Sequence, residues 1–424
     1  MKEYRKRIVD TLLSDKLEAT GAVLIEGPKW CGKTTTAEQV AKSIIYLSNP
    51  AQFAQYSTMA ETQPQLLLEG DAPRLLDEWQ LFPKLWDAVR FEVDHRREEG
   101  QFILTGSAVP PDTQKILHTG TGRFSWIKMR PMSLYESEDS NGSVSLSSLF
   151  ISPDFIKGTN LLTLENIVYL ICRGGWPNSL GKSEKIALIQ ARSYYDSIVK
   201  SDINRSDRYP KSEEYVKRLM RSFARNQGSQ ISNAGLVKDI VDGDENTFSL
   251  NTLSRYIDAL KTIFVIENLP AWNPNLRSKT AIRSAETRYF TDPSIATAAL
   301  GIGPGDLLKD LNTCGFLFET LCVRDLRVYA DALDGTVYHY RDKSGLECDT
   351  VIHLRNGAYG LIEIKIGGDT LIEEGAASLL KLREKIDTDS MREPAFMMIL
   401  TAVGPYAYRR PDGIFVVPIG CLGP

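Results

Sequence analysis

Apolar residues recur along this chain with helical spacing in some stretches and in short unbroken runs in others. Ile8, Leu12, Leu13 and Leu17 fall on one helical face and predict an amphipathic helix within residues 1–20. The run Ala22-Val23-Leu24-Ile25-Glu26 follows, then a Gly/Pro turn and the helix-forming stretch TTTAEQVAKSII at 34–45. Two more short runs, RLLDE at 74–78 and FILTGS at 102–107, read as strands, and Leu85, Val89 and Val93 mark a helix between them. Buried strands that alternate with helices predict a parallel α/β sheet.

The stretch 137–148, SEDSNGSVSLSS, has little to bury and reads as a linker or domain edge. Residues 160–202 read as helical, broken by RGGWP at 173–177. Helices are then expected at 213–226, 232–241 and 249–261, with Ser249 or Asn251 as the last N-cap. FVIENLPAW (264–272) and TRYFTD (287–292) read as a hairpin, and three helices before a hairpin is the order of a winged helix. The final block begins with an amphipathic helix, FLFETLCVRDLRVYADAL. Strands TVYHYR, LECDTVIHL and YGLIEIKI follow, then a helix near 373–386 and strands FMMIL and IFVVPI. No internal repeat is visible. Four segments result: 1–150, 151–210, 211–300 and 301–424.

A length of 424 residues suits two to four domains. Fifty Lys+Arg against 54 Asp+Glu give a net charge of −4, which excludes a uniformly basic nucleic-acid binder. Contact with DNA would need a local basic patch. No apolar run reaches the roughly 18 residues of a membrane span, so no membrane partner is expected. The basic start MKEYRKRIVD leads into no apolar signal segment. Six cysteines without CxxC spacing and only four histidines exclude zinc fingers. They fit free thiols in a reducing compartment, the cytoplasm.

The turn after the first strand, Gly27-Pro28-Lys29-Trp30-Cys31-Gly32-Lys33-Thr34, completes the GxxxxGK[ST] pattern between a strand and a helix. Its glycines let backbone N–H groups face phosphate oxygens at a helix N-terminus. Lys33 is then expected to reach the β/γ-phosphates and Thr34 to ligate Mg²⁺, with Thr35 next to it. Trp30 is expected to pack. Asp77, at the end of the second strand, is placed to hold Mg²⁺ through water, and Glu78 to orient or deprotonate the attacking water. Thr105 and Ser107 suit a γ-phosphate sensor, or else a strand terminus bonding locally. Arg123 is a candidate for stabilising transition-state charge, in cis or across a subunit interface, against an ordinary surface ion pair.

Taken together, GPKWCGKTTTAEQ, RLLDEWQLFPKLWDAVRFEVD, GQFILTGSA and GRFSWIKMRPMSLYE resemble a prokaryotic AAA+-like P-loop ATPase family with a C-terminal domain of unknown function. The likeness extends over nearly the whole chain, including RGGWP and YYDSIVKSDI (194–203). It implies ATP binding and hydrolysis, a helical connector, a winged-helix region and a restriction-endonuclease-like α/β tail, active or degenerate. Homo-oligomers are implied only by analogy with ring-forming ATPases.

Within 250–290, six basic residues (255, 261, 277, 279, 283, 288) exceed three acids (258, 267, 286) by three. Much of the excess lies in NLRSKTAIRSAETR, where a wing would be. Lys217, Arg218, Arg221 and Arg225 add charge on the preceding helix. Two readings stay open: a DNA-contacting winged helix, or one that packs against protein.

Along LIEIK, Glu363 and Lys365 share one strand face while Ile362, Ile364 and Ile366 take the other. With Asp349 on the preceding strand and Glu319 on the helix before it, the pattern is similar to the PD-(D/E)XK nuclease family. That resemblance implies Asp349 and Glu363 as ligands of a second Mg²⁺ or Mn²⁺, Glu319 as support, and Lys365 as the group steadying the attacking water. It carries a geometric condition. A two-residue Asn356-Gly357 turn would pair Asp349 with Ile364, so an odd loop or a bulge is expected to bring Asp349 beside Glu363. A docking domain with idle acids is the competing reading. The candidate partners are therefore ATP, DNA, and a protein partner or second copy of the chain.

Overall fold

The structure is a computed structural model that describes residues 4–107, 120–153, 156–205, 210–241, 248–274, 285–387 and 391–424. Its chain divides into two compact units. One holds Met1–Pro131, Lys200–Lys211 and Asp258–Val265; the other holds Met132–Val199, Ser212–Ile257 and Ile266–Pro424.

In the first unit, strands β1 (Ala22–Glu26), β2 (Ser43–Tyr46), β3 (Arg74–Asp77), β4 (Phe102–Gly106) and β5 (Phe124–Lys128) form one parallel sheet in the order β2-β3-β4-β1-β5. Unbroken apolar runs are what such a sheet needs, because both faces are covered. Val23, Ile25, Leu75 and Ile103 pack with Val9, Leu13 and Leu17 of the helix Ile8–Ala19. Ala22, Leu24, Leu76, Phe102 and Leu104 pack on the other face with Leu85, Val89 and Val93 of the helix Leu85–Arg96. The stretch expected as one helix over 34–45 is split: the helix covers only Lys33–Glu38, and Ser43–Tyr46 pairs with β3. Two adjacent isoleucines, Ile44 and Ile45, suit a pleated strand better than a helix turn.

The second unit contains the helices Leu164–Arg173, Glu184–Ser197 (running into a π-helical turn at Ile198–Asp202), Glu213–Arg225, Asn233–Ile240 and Leu250–Thr262, the last crossing the unit boundary. Ser249 caps the last, its Oγ accepting from Thr252 N–H at 3.1 Å. Antiparallel bridges Ile266–Phe290 and Leu269–Thr287 follow. The serines expected in a linker are instead structural. Ser137 donates to Ser133 O at 3.0 Å, Ser140 to Leu422 O at 2.7 Å and Ser145 to Pro424 O at 2.6 Å. Polar composition marked the stretch as unburied, but its hydroxyls satisfy buried carbonyls.

RGGWP is fixed by a buried ionic knot. Arg324 Nη1 meets Asp292 Oδ2 at 2.9 Å and its Nη2 meets Asp325 Oδ1 at 2.7 Å. Asp292 also accepts from Gly175 N–H at 2.9 Å, and Asp325 from Leu134 N–H at 2.9 Å. A Cβ on Gly175 would stand 2.2 Å from Met132 O, so this position needs glycine.

The C-terminal block runs helix Leu311–Asp331, strands β8 (Gly335–Arg341), β9 (Glu347–Leu354) and β10 (Tyr359–Lys365), helix Asp369–Lys385, then β11 (Phe396–Thr401), β12 (Tyr406–Arg409) and β13 (Phe415–Pro418). With β7 (Gly158–Thr159), which follows the short β6 (Val144–Ser145) in the chain, they form a mixed sheet in the order β7-β12-β13-β11-β10-β9-β8. Strands β8, β9 and β10 pair antiparallel, whereas β10, β11 and β13 run parallel. All six cysteines are free and buried. No helix among the described residues is long and apolar enough to cross a membrane.

Candidate functional site

The turn after β1 lies at the carboxyl ends of the parallel strands, where open α/β sheets bind ligands. Gly27 has φ +153°, and a Cβ there would meet Met129 O at 2.1 Å. Gly32 has φ +105° and stands directly before the helix that starts at Lys33. Glycine is required where the loop doubles back against the strand. Lys33 is buried and donates to its own loop, to Gly27 O at 2.9 Å and Pro28 O at 2.8 Å. The ammonium thus sits inside the turn against two carbonyl acceptors, a place where anionic phosphate oxygens are stronger partners.

Three adjacent strand ends complete this site. Asp77 Oδ1 accepts from Thr34 Oγ1 and from Thr105 Oγ1, each at 2.7 Å. Register explains the meeting, because Asp77 pairs with Thr105 across β3 and β4. A carboxylate beside a helix-start hydroxyl is a set of hard oxygen donors, and it fits Mg²⁺ held jointly with phosphate oxygens. Glu78 follows in the left-handed region at φ 59°, a backbone state costing about 1–3 kcal/mol for a non-glycine residue. Its carboxylate is held by Gln80 Nε2 and lies 3.3 Å from Ser107 Oγ. Thr35 lies in the first turn of the helix.

Sequence reasoning missed the groups that brace this loop. Arg7, buried at the start of the first helix, donates Nη1 to Cys31 O at 2.8 Å and Nη2 to Arg130 O at 2.9 Å. Tyr4 Oη lies 3.0 Å from Thr36 Oγ1. Neither carries a sequence signal, since each sits in an unremarkable basic start. Cys31 is fully buried with Sγ toward Met129 O. Lys29 pairs with Asp202 at 2.5 Å. Trp30, expected to pack, is instead 47% exposed with φ 66°.

Arg123 does not join this site. It precedes β5 at the end where Ala22 begins β1, and its carbonyl accepts from Ala22 N–H at 3.1 Å. The length of β1, about 13 Å at strand rise, separates it from the phosphate loop. Its guanidinium pairs with Asp94 at 2.7 Å on the surface, so the expectation of a role toward its own nucleotide is corrected.

In the C-terminal sheet, Tyr359 pairs with His353 and Ile362 with Thr350, a register that sets Glu363 opposite Asp349. The connection holds three residues, Arg355-Asn356-Gly357, closed by Leu354 N–H to Ala358 O at 2.8 Å. That odd loop meets the geometric condition, with Asn356 Oδ1 accepting from Ala358 N–H. Lys365 Nζ lies 2.6 Å from Glu363 and 3.4 Å from Asp349, which also accepts from Ile364 N–H at 2.7 Å. Burial first, then the neighbouring charge of Asp349, pushes Glu363 up to about 8, with Lys365 pulling the other way. Burial lowers the Lys365 ammonium, but Asp349 and Glu363 more than offset it and leave it above the ordinary lysine range. Glu319 accepts a short hydrogen bond from buried Tyr289, and burial together with Asp349 raises it well above the carboxylate range. A cleft of about 750 Å³ opens on Asp349, Glu363, Lys365, Lys381 and Lys385.

Among the described residues no three His, Cys, Asp or Glu side chains stand together as a metal group. Burial raises Glu319 and Glu363 above the ordinary carboxylate range, and the Lys365 ammonium lies beside both Glu363 and Asp349.

The basic excess of 250–290 is only partly describable, because Arg277, Lys279 and Arg283 lie outside the described residues. Arg255 and Lys261 are exposed. Arg288 turns inward, donating to Ile231 O at 3.0 Å and lying over the Phe223 ring at 5.3 Å. On the preceding helix, Arg218 pairs with Glu214 at 2.7 Å and Lys217 with Glu213 at 3.7 Å.

Comparison with known proteins finds three family matches along the chain. Residues 19–138 match an AAA domain, 164–306 a domain of unknown function (DUF8612), and 314–422 another (DUF4143). Uncharacterized proteins of Mycobacterium tuberculosis and Mycobacterium bovis are each 24% identical over 352 residues, covering 82% of this chain and 71% of theirs. A solved structure of the replication initiator DnaA bound to AMPPCP and single-stranded DNA is 15% identical, covers 60% of this chain and 86% of its own, and superposes with a TM-score of 0.27.

Proposed function

We propose that this chain, an AAA-type P-loop domain at the N-terminus joined to a C-terminal DUF4143 domain, binds Mg-ATP at residues 27–34 and hydrolyses it. The supporting observation is the convergence of Lys33, Thr34, Asp77 and Thr105 at three neighbouring strand ends. The chemistry that Mg²⁺ would supply there is neutralisation of phosphate charge. Thr34 and Asp77 are the residues that would hold it. Lys33 leaves its loop carbonyls for the phosphates, and the backbone N–H groups of the loop orient them. Glu78 aligns a water and accepts its proton, a role suited to a carboxylate already bonded by Gln80 and Ser107. Thr105, through Asp77, senses whether the terminal phosphate is present.

In this reading the hydrolysis cycle acts on DNA through the 211–300 winged-helix region and the nuclease-like tail. The helix–three strands–helix–strand order of 311–401 supports the tail assignment. Six buried free cysteines favour a reducing, cytoplasmic setting. Steady-state phosphate release with and without DNA tests the proposal. Turnover that depends on Lys33 and rises with DNA is expected; turnover indifferent to Lys33→Ala rejects it.

One observation favours a second reading, an ATP-switched binding protein whose C-terminal domain docks rather than cuts. Lys365 lies between Asp349 and Glu363, where a metal would have to bind. Plasmid DNA incubated with Mg²⁺ or Mn²⁺ separates the two. Nicking by the wild type that Asp349→Ala abolishes supports the nuclease, and intact plasmid supports docking.

A further inference from the structure

We propose that Asp202 is a positioning residue for the phosphate loop, holding Lys29 so that the arm Pro28-Lys29-Trp30 keeps its triphosphate-ready shape. This inference rests on the reading of residues 27–34 as an ATP site. Asp202 is 7% exposed, and its carboxylate lies 2.5 Å from Lys29 Nζ, with Ser201 Oγ at 3.5 Å. A buried carboxylate without a cation is costly, so Lys29 is fixed to it more firmly than a surface lysine would be. Lys29 in turn sits between Pro28, whose carbonyl Lys33 engages, and Trp30, which occupies the left-handed region. The pair therefore restrains the half of the loop that Arg7, bonded to Cys31 O, does not reach.

The placement of Asp202 is itself unusual. Residues Ile198–Asp202 form a π-helical turn, which Asp202 closes, and the helix resumes at Ile203. An i→i+5 turn shifts the angular phase of every residue after it relative to a plain α-helix, and such turns concentrate at functional positions. Here the shift presents the aspartate to the phosphate loop. The resulting function is preorganisation: a loop already restrained loses less entropy on meeting its anion. The effect belongs to nucleotide affinity and not to the chemical step, because Asp202 reaches the phosphate loop through its hydrogen bond with Lys29.

Initial-rate phosphate release and calorimetric ATP titration, on the full chain with Mg²⁺, test this. Asp202→Asn is expected to raise KM and Kd for ATP at least about threefold while kcat stays within about twofold, the pattern of lost ground-state binding. Because Asp202 acts through Lys29, adding Asp202→Asn to Lys29→Gln is expected to weaken binding no further. Asp202→Glu, which keeps the charge, is expected to recover most of the affinity. Unchanged KM in Asp202→Asn, a matching fall in kcat, or effects that multiply in the double variant each overturn the proposal. If Asp202→Asn fails to fold, Lys29→Met/Asp202→Leu, which strands no charge, is compared with Lys29→Met under the same criterion. Absence of ATP binding in the wild type would defeat the ATP site itself, whereas normal wild-type binding with an inert Asp202→Asn defeats this inference alone.

Discussion

Lys33 is a cation stored inside its own loop, and that defines what its removal should do. Lys33→Ala leaves the carbonyls of Gly27 and Pro28 without their donor and the phosphates without their counter-charge. A fall in phosphate release of at least about 100-fold is expected, with weaker ATP binding. Glu78→Gln is expected to behave differently, cutting turnover by about 10²–10⁴ while ATP still binds, since the amide keeps the shape but not the basicity. Gly27→Ala tests the fold and not the chemistry. Its methyl group would have to displace Met129 O at a positive φ, so a loss of about 2–4 kcal/mol in urea unfolding is expected. The geometry of these positions was legible in the sequence because a phosphate-loop pattern ties the turn to glycine and sets Lys33 and Thr34 at the helix start. Arg123 was not legible. Its residue type suits many roles, and only the strand register shows it at the wrong end of the sheet.

At the scale of elements, most strands and helices could be read from apolar spacing, and the exceptions have physical causes. The edge strand β2 was read as helix because its four residues follow a helix-forming run without a turn signal. The stretch 137–148 was read as a linker or domain edge, although position in the fold, which composition does not encode, buries Ser137 and Ser140. The odd loop between β9 and β10 was legible only by asking where Asp349 must point; Asn-Gly alone suggested the tighter turn. The upward pKa shifts of Glu319 and Glu363 were invisible, since they arise from tertiary burial. Two element-scale predictions follow from buried charge. Arg324→Leu strands Asp292 and Asp325 without their cation and frees the RGGWP turn, with an expected loss of about 3–5 kcal/mol in denaturant unfolding. His339 and His353 respond to acid. Burial lowers both below the ordinary histidine value, and His353 Nδ1 accepts from Trp272 Nε1 at 3.2 Å, so it is neutral in the fold. The unfolded chain then binds more protons once pH drops below about 6.5, so the stability these groups contribute is intact above that value and declines below it. For buried His339 the decline is at most about 1.4 kcal/mol per pH unit, until the folded form itself takes the proton. Melting temperature followed from pH 7.5 to 5.5 should fall, and His339→Asn should flatten the trend.

For the molecule as a whole, the two sheet systems carry unlike chemistry. The parallel sheet gathers a lysine, hydroxyls and carboxylates at the ends of adjacent strands, an arrangement suited to an anion with a hard cation. The C-terminal mixed sheet gathers acids already partnered by Lys365 and Tyr289. Nucleotide chemistry therefore has stronger structural support than nucleic-acid cleavage, and whatever the tail does must follow from the state of the N-terminal site or be independent of it. Isothermal titration of Mg-ATP into the folded wild type and into Lys33→Ala tests that assignment most directly. Saturable binding to the wild type near one ATP per chain, lost or weakened at least about tenfold in the variant, is the predicted result. No binding heat from a wild type whose circular dichroism shows it folded, or equal binding by both proteins, would contradict it.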